Sequence, residues 1–438
     1  MIVRAVLAML FTAALVVPAL AAADRYPATT LVGDVPAQVD ADATLAGMQI
    51  FLPGGLERQT SVQNGFAALL GEVVAQTPMQ NDGSEVPLRD AIAALGANLT
   101  VTVEPEDVRY YIEGRPAAVV GALGLLGTAL ASPGFSTKTL AAAKRALRLR
   151  IIESDQSPFG VVSTMLRSSY YRGTGAGYAP TGSPEIVIGA SPKALKDFWA
   201  GNYLQGGASL AAAGRVDEGM VRAARAAIAK LPQGTPQQLA LQVRKPSDPP
   251  TRIITHRDIG LPWIGIGFAA PAIGTKDFAP MLVVQSIIDS LGRTDAIVSR
   301  PVALRPINAV YQYDVRPANF IIYSSGSSLG STTGLREIFA ATDLLSSKPL
   351  DAAVIARYRT LATAQFVMQN ITLEDRSALV GTFTRFGLDG NAANGVLSDI
   401  AAVTPADVER VVKAYLAKYT VAIILPRANK AALPKPQH

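Results

Sequence analysis

No cysteine occurs in the 438 residues, and histidine is limited to His256 and His438. Without cysteine there is no disulfide framework, no thiolate nucleophile, no Cys-ligated zinc and no iron–sulfur cluster held by Cys thiolates. A centre of two or three clustered imidazoles would have to recruit the last residue of the chain, where ends fray. Blocks of like charge are missing too. The 40 Lys and Arg against 34 Asp and Glu give a net charge of +6, and the basic residues are scattered. That distribution lacks the basic stripe of a phosphate-gripping surface and excludes nucleic acid as a partner. The one long apolar run is Ala5–Val17, and nothing after it approaches the ~18 residues needed to cross a bilayer.

What is present begins with that run. Arg4 precedes it and Pro18-Ala19-Leu20-Ala21 follows it with the small-x-small form of a signal peptidase site. Residues 1–21 are therefore expected to be a signal peptide cleaved after Ala21. The mature chain is expected in the periplasm, with no integral membrane segment. Leu231–Pro250 carries five prolines and little apolar periodicity, which reads as a linker between an N-terminal domain at 24–230 and a C-terminal domain at 251–432.

The ends of those two regions resemble each other, as an internal duplication would. Ser191-Pro192 opens a helix with Leu195, Phe198 and Trp199 on one face, reaches Tyr203 and gives way to a strand at Ala208–Ala213. Thr404-Pro405 opens a helix with Val408, Val411 and Val412, reaches Tyr415 and gives way to Tyr419–Leu425. Each uses a hydroxyl N-cap followed by Pro at the first helical position. Elsewhere the periodicity predicts strands at Thr44–Leu52, Asn98–Val103, Val108–Ile112, Leu261–Phe268, Ala309–Val315 and Asn319–Ser325. Helices are predicted at Gln63–Ala75, Leu88–Leu95, Ala117–Ala131, Thr137–Ser154, Ala279–Ser290, Leu335–Ser346 and Ala352–Gln369. The pattern is α+β: two homologous domains, each a mostly antiparallel sheet packed against helices.

The order of short motifs resembles the insulinase-like zinc peptidases, the M16 family that includes mitochondrial processing peptidase. Leu52-Pro53-Gly54-Gly55, Gly65-Phe66-Ala67-Ala68-Leu69-Leu70-Gly71-Glu72, Leu95-Gly96-Ala97-Asn98, Gly182-Ser183-Pro184-Glu185 and the strand ending at Gly214 each match a family landmark. The resemblance implies the LuxS/MPP-like metallohydrolase architecture over the whole mature chain. In the family, two His ligands four residues apart bind zinc from one helix face, and the Glu between them polarises water. Here Ala68, Gly71 and Glu72 stand at those positions, and the third ligand's place falls in the basic segment Arg148–Arg150. The resemblance therefore implies a chain that binds no metal and is no zinc hydrolase alone. Its working unit would be a heterodimer, in which an HxxEH-bearing M16 subunit holds the zinc and both chains enclose a peptide substrate.

Some zinc-free partners keep an Arg and a Tyr about seven residues apart that contact the scissile carbonyl. Among Arg300, Arg305, Tyr311 and Tyr313, the best match is Arg305 with Tyr311, six apart and with Pro306 after the arginine. Both would bind substrate, acting as oxyanion stabilisers. Two alternatives stay open: a non-enzymatic assembly scaffold of the same fold, and a serine hydrolase using Ser328 in Gly326-Ser327-Ser328-Leu329-Gly330. Three further motifs carry no chemistry in this reading. Gly173–Tyr178 reads as a flexible loop, Glu104-Pro105-Glu106-Asp107 as a solvated hairpin tip, and His256 as a surface residue.

Overall fold

A computed structural model describes residues 26–81, 83–237, 251–291, 307–313, 318–324, 331–347 and 350–427. Its backbone is two sheets, each with a set of helices. The first sheet contains β1 (Thr29–Val32), β2 (Val35–Val39), β3 (Ala46–Pro53), β6 (Ala97–Val103), β7 (Asp107–Gly114) and β8 (Ser209–Gly214). Its order is β1-β2-β8-β3-β7-β6, with a separate hairpin of β4 (Pro78–Asn81) and β5 (Ser84–Pro87). The second contains β9 (Thr251–Arg257), β10 (Trp263–Ala270), β11 (Asn308–Gln312), β12 (Ala318–Ser324) and β13 (Tyr419–Pro426), in the order β11-β12-β10-β13-β9. Apart from β1, the orders β2-β8-β3-β7-β6 and β9-β13-β10-β12-β11 are the same. Each has one parallel pair at the same place, β2 with β8 and β9 with β13. The duplication read from the chain ends is thus a duplication of topology.

The helices of the first half are α1 (Phe66–Ala75), α2 (Leu88–Ala94), α3 (Pro116–Ala131), α4 (Thr137–Gln156), α5 (Pro158–Tyr170), α6 (Pro184–Gly189), α7 (Pro192–Asn202) and α8 (Glu218–Ala229). Those of the second are α9 (Phe278–Leu291), α10 (Ser331–Ser347), α11 (Ala352–Gln369), α12 (Leu373–Arg385), α13 (Ala392–Ala402) and α14 (Pro405–Tyr415). Their starts are written locally: Ser191 accepts from the Ala194 N–H, and Thr404 and Asp407 form a reciprocal capping box. Helix α1 begins at Phe66, later than the predicted Gln63, because Gly65 sits at φ +114 with its Cα against Gly182. Only glycine fits that combination of left-handed backbone and close approach.

Strand β6 alternates buried and exposed residues, whereas β3 is buried at all eight positions. A strand buried on both faces needs a cover on each. One cover is the half's own helices. The other comes from the opposite half: α12 lies across the first sheet, with Val380 packed on Phe51 and Ala211. Reciprocally, α5 lies across the second sheet, with Val161, Val162 and Leu166 on Ile321, Ala422 and Ile424. Helices α5 and α12 are equivalent elements, each the third helix after the central hairpin of its half. Close approach requires missing side chains. A Cβ on Gly381 would stand 2.2 Å from the Phe51 ring, and one on Gly265 would stand 2.2 Å from Val162 Cγ1.

Polar groups lock the α12 crossing. Ser377 Oγ donates to Gln49 Oε1 at 3.0 Å and Arg376 Nε to Gln38 Oε1 at 2.9 Å. Asp107, expected at a solvated hairpin tip, is instead 1% exposed. Its carboxylate accepts from Arg109 Nε at 2.9 Å and from Arg385 Nη1 across the junction. The correction has a local cause: β7 starts at Asp107, and the strand carries that residue under α12. Both guanidiniums lie over the Phe51 ring, 5.4 and 5.1 Å from its centroid. Burial alone would raise the Asp107 carboxyl, but Arg109 and Arg385 outweigh it and hold it below the usual carboxylate value. The first described residues also dock on the second half, since Tyr26 N–H donates to Asn394 Oδ1 at 3.1 Å and Thr29 N–H to Asn391 Oδ1 at 2.7 Å.

Two predictions follow from this junction. Asp107→Ala leaves two guanidiniums facing an emptied site and is expected to cost about 3–5 kcal/mol in urea unfolding. Because the folded carboxyl titrates below its ordinary value of 3.8, the stabilisation is complete above that pH and disappears as pH falls through the lower folded value. The urea midpoint of the native protein should therefore drop in acid more steeply than that of the variant. Gly381→Ala, which in an exposed helix stabilises by about 1 kcal/mol, should here destabilise by about 1–3 kcal/mol through overpacking on Phe51.

Candidate functional site

Helix α1 carries Ala68, Gly71 and Glu72, and all three are buried. A Cβ at Gly71 would stand 2.8 Å from Val101 Cγ1, so β6 leaves no space there for a longer side chain. Glu72 Oε1 accepts from Arg150 Nη1 at 2.9 Å. Its Oε2 lies 3.5 Å from Arg89 Nη2, in an orientation that makes no hydrogen bond. A carboxylate 3% exposed is thus neutralised by guanidiniums from α2 and α4. Of the basic segment Arg148–Arg150, it is Arg150, 78 residues beyond Glu72, that reaches it. Among the described residues no group of three or more His, Asp or Glu side chains could hold a metal ion.

Arg150 also lines a cleft of about 530 Å³ between the halves. The first half contributes Arg109, Arg150 and Arg167, together with Thr102 and Val103 of β6. That strand is the edge of its sheet. Glu104 and Glu106 line the cleft from the β6–β7 turn. The second half contributes Gln312, Tyr313, Asn319, Asn370 and Asp375. Asn370 Nδ2 donates to the Tyr313 hydroxyl at 3.2 Å and to the Phe366 carbonyl at 2.8 Å. Burial pushes the Tyr313 phenol up, against the Asn370 hydrogen bond and with help from the nearby Asp375 charge. Tyr313 therefore stays protonated and offers a neutral hydroxyl. The Asp375 carboxylate accepts from Thr372 Oγ1 at 2.5 Å at the start of α12.

Tyr311 is placed elsewhere. It is 4% exposed, packs its ring against Phe278, Tyr313 and Phe320, and donates its hydroxyl to the Pro271 carbonyl. It does not line the cleft, whereas Tyr313, two residues further on, does. Arg300 and Arg305 lie outside the described residues, as do Ser328 with its glycine-flanked segment and His438. His256 is exposed on the edge strand β9, opposite Leu425. The stretch Gly173–Tyr178 is not a loose loop: Gly175, Ala176 and Gly177 are buried, and a Cβ on Gly175 would stand 2.0 Å from the Leu56 carbonyl oxygen.

Several cleft residues escape a reading of the sequence. Arg167 sits on α5, a helix absent from the predicted set, and Asn319 and Asn370 sit among apolar neighbours whose pairing only the fold reveals. Their one common signal is a polar residue interrupting a buried run.

Residues 189–342 match the family model described as the Peptidase M16 inactive domain. Solved structures extend the likeness to most of the chain. A protease from Helicobacter pylori superimposes with a TM-score of 0.77 at 15% identity, covering 91% of this chain and 99% of that one. A peptidase M16 inactive domain from Pseudomonas fluorescens gives 0.77 at 14% identity, over 94% of this chain and 99% of that one. A chain of complex III2 from Candida albicans gives 0.73 at 14% identity, over 91% and 96%. No curated protein matches in sequence.

A double-mutant cycle tests the buried pair on α1 and α4. Arg150→Met strands the Glu72 charge and should destabilise clearly, whereas Glu72→Gln with Arg150→Met should recover most of the loss. Thermal or urea unfolding should return a coupling energy of about 0.5–3 kcal/mol.

Proposed function

We propose that the chain is an inactive member of the M16 peptidase family, whose inactive-domain model its residues 189–342 match and whose solved structures share its fold, and that it is the zinc-free subunit of a periplasmic heterodimeric metallopeptidase, forming half of its peptide chamber. The observation that carries this reading is the Glu72–Arg150 pair. A catalytic zinc needs three ligands with free lone pairs and an open fourth position for water. At the matching place this chain offers an alanine, a glycine and a carboxylate whose charge a guanidinium already neutralises. The partner, an HxxEH-bearing M16 subunit, would hold the zinc and activate the water.

The cleft suits the remaining task. The β6 edge can add an extended peptide as a further strand, and the carboxamides of the opposite wall match the donors and acceptors of a peptide main chain. The substrate contact that the resemblance attached to Arg305 and Tyr311 falls, in this reading, to Tyr313 with the cleft guanidiniums. Passage through the signal at residues 1–21 would bring the chain to its partner outside the inner membrane. Among the described residues no helix is long and apolar enough to cross a membrane.

A second reading has one observation in its favour, the likeness to a chain of complex III2 from Candida albicans: the protein would be an assembly scaffold of the same fold. One experiment separates the two. The mature chain is purified alone and together with an HxxEH-bearing M16 protein from the same genome, then assayed for bound zinc and for cleavage of a quenched peptide library. The expected result is association, with zinc and cleavage in the mixture only. Association without cleavage favours the scaffold, and cleavage by the chain alone overturns both readings.

A further inference from the structure

Three arginines line the cleft, and two of them are engaged: Arg109 by Asp107 and Arg150 by Glu72. The third, Arg167, is half-buried on α5, and its guanidinium makes no ion pair or hydrogen bond among the described residues. Glu104, Glu106 and Asp375 share the cleft with it, and none of them forms an ion pair with it. A partly desolvated guanidinium without a counter-charge is costly, and an anion from outside removes that cost through charge-assisted hydrogen bonds.

The surroundings of Arg167 define what kind of anion. One turn earlier on α5, Ser163 accepts from Gln312 Nε2 at 2.9 Å, which holds the end of β11 against the helix. The amide oxygen of Gln312 has no partner. Asn319, 4% exposed on the cleft wall, has a carboxamide that makes no hydrogen bond among the described residues. The guanidinium therefore shares the cleft wall with an amide oxygen, that of Gln312, and a carboxamide, that of Asn319, that lack partners among the described residues. A simple inorganic anion has no use for an amide acceptor. A carboxylate attached to a peptide satisfies both, because the chain that brings the negative charge also brings N–H and C=O groups.

Resting on the reading of the cleft as a peptide site, we propose that Arg167, with Gln312 and Asn319, is a subsite for a carboxylate of the bound peptide. The same position on the equivalent helix α12, tenth in each helix, is Thr382, which also lines the cleft and is neutral. The subsite is thus one-sided, and a peptide anchored by it lies in one direction.

The chemistry fits a free C-terminus or an acidic side chain, and the test separates them. The full mature chain is titrated, by fluorescence anisotropy, with a labelled neutral peptide of Ser, Gly and Leu in three forms: free C-terminus, amidated C-terminus, and amidated with one internal Glu. At least one carboxylate-bearing form should bind roughly tenfold or more tightly than the neutral amide, as a charge-assisted hydrogen bond allows. Preference for the free acid alone identifies the terminal carboxylate; equal preference for the Glu form identifies the side chain. Arg167→Gln should abolish the preference and Arg167→Lys keep part of it, while Arg145→Gln on the exposed face of α4 should leave it intact. Unchanged melting temperatures exclude a folding effect. Equal binding of all three forms overturns the subsite and leaves the peptide cleft standing. A preference that survives Arg167→Gln also overturns it. Failure of every peptide to bind removes both subsite and cleft, and the association assay with the HxxEH subunit then reports on the partnership separately.

Discussion

The crossing of α12 over the first sheet depends on one buried carboxylate. Asp107 receives a guanidinium from its own strand and another from the last residue of α12, and both cations rest on the Phe51 ring that α12 itself covers. Charge neutralisation, hydrophobic burial and helix placement are therefore the same event. If the carboxylate were absent, Arg385 would have to leave the junction for water, and the helix would lose its polar anchor on the face that Gly381 brings close to the sheet. Arg109 and Thr382, which line the cleft from the two halves, are held in place by this junction. The geometry of the site is in that sense a by-product of how the halves are fastened.

The same logic appears at α1. A helix that is buried on every side cannot carry a bare Glu, and the chain answers with Arg150 from α4 and Arg89 from α2. A divalent ion and a guanidinium are alternative answers to one electrostatic problem, the presence of negative charge in a dry place. The guanidinium keeps α1 and α4 together without creating a Lewis acid.

Much of this was legible in the sequence, and the omissions have a physical pattern. Helices with strong caps and a single apolar stripe, such as α7 and α14, were placed by Ser191-Pro192 and Thr404-Pro405 alone. The matched chain ends disclosed the duplication. Helices α5 and α12 were missed because their sequences are tuned to a partner outside their own half: Gly160, Gly381, Thr382 and Thr384 are poor helix formers. In α12 the cost is offset by close packing on a sheet that no local pattern announces. Asp107 was misread for a related reason, since a turn sequence rich in carboxylates gives no hint that a helix almost 280 residues later will cover it. The family resemblance pointed to Ala68, Gly71 and Glu72, but nothing in the sequence singled out Arg150 as the counter-charge of Glu72. Tyr311 and Tyr313 alternate on one strand, and only the fold distinguishes the one inside the core from the one at the cleft.

The docking of the chain's early residues on its late ones bears on how the molecule is made. Tyr26 and Thr29 hydrogen-bond to Phe366, Gly390, Asn391 and Asn394, and the cover of the first sheet arrives with residues 373–385. A ribosome delivers the chain from its N-terminus, so the first sheet must wait, with one apolar face open to water, until residues 373–385 have emerged. Contacts of such sequence separation form slowly. During that interval the exposed strands are open to mispairing with other chains, and a holdase that shields β3 and β8 is the kind of help this topology calls for.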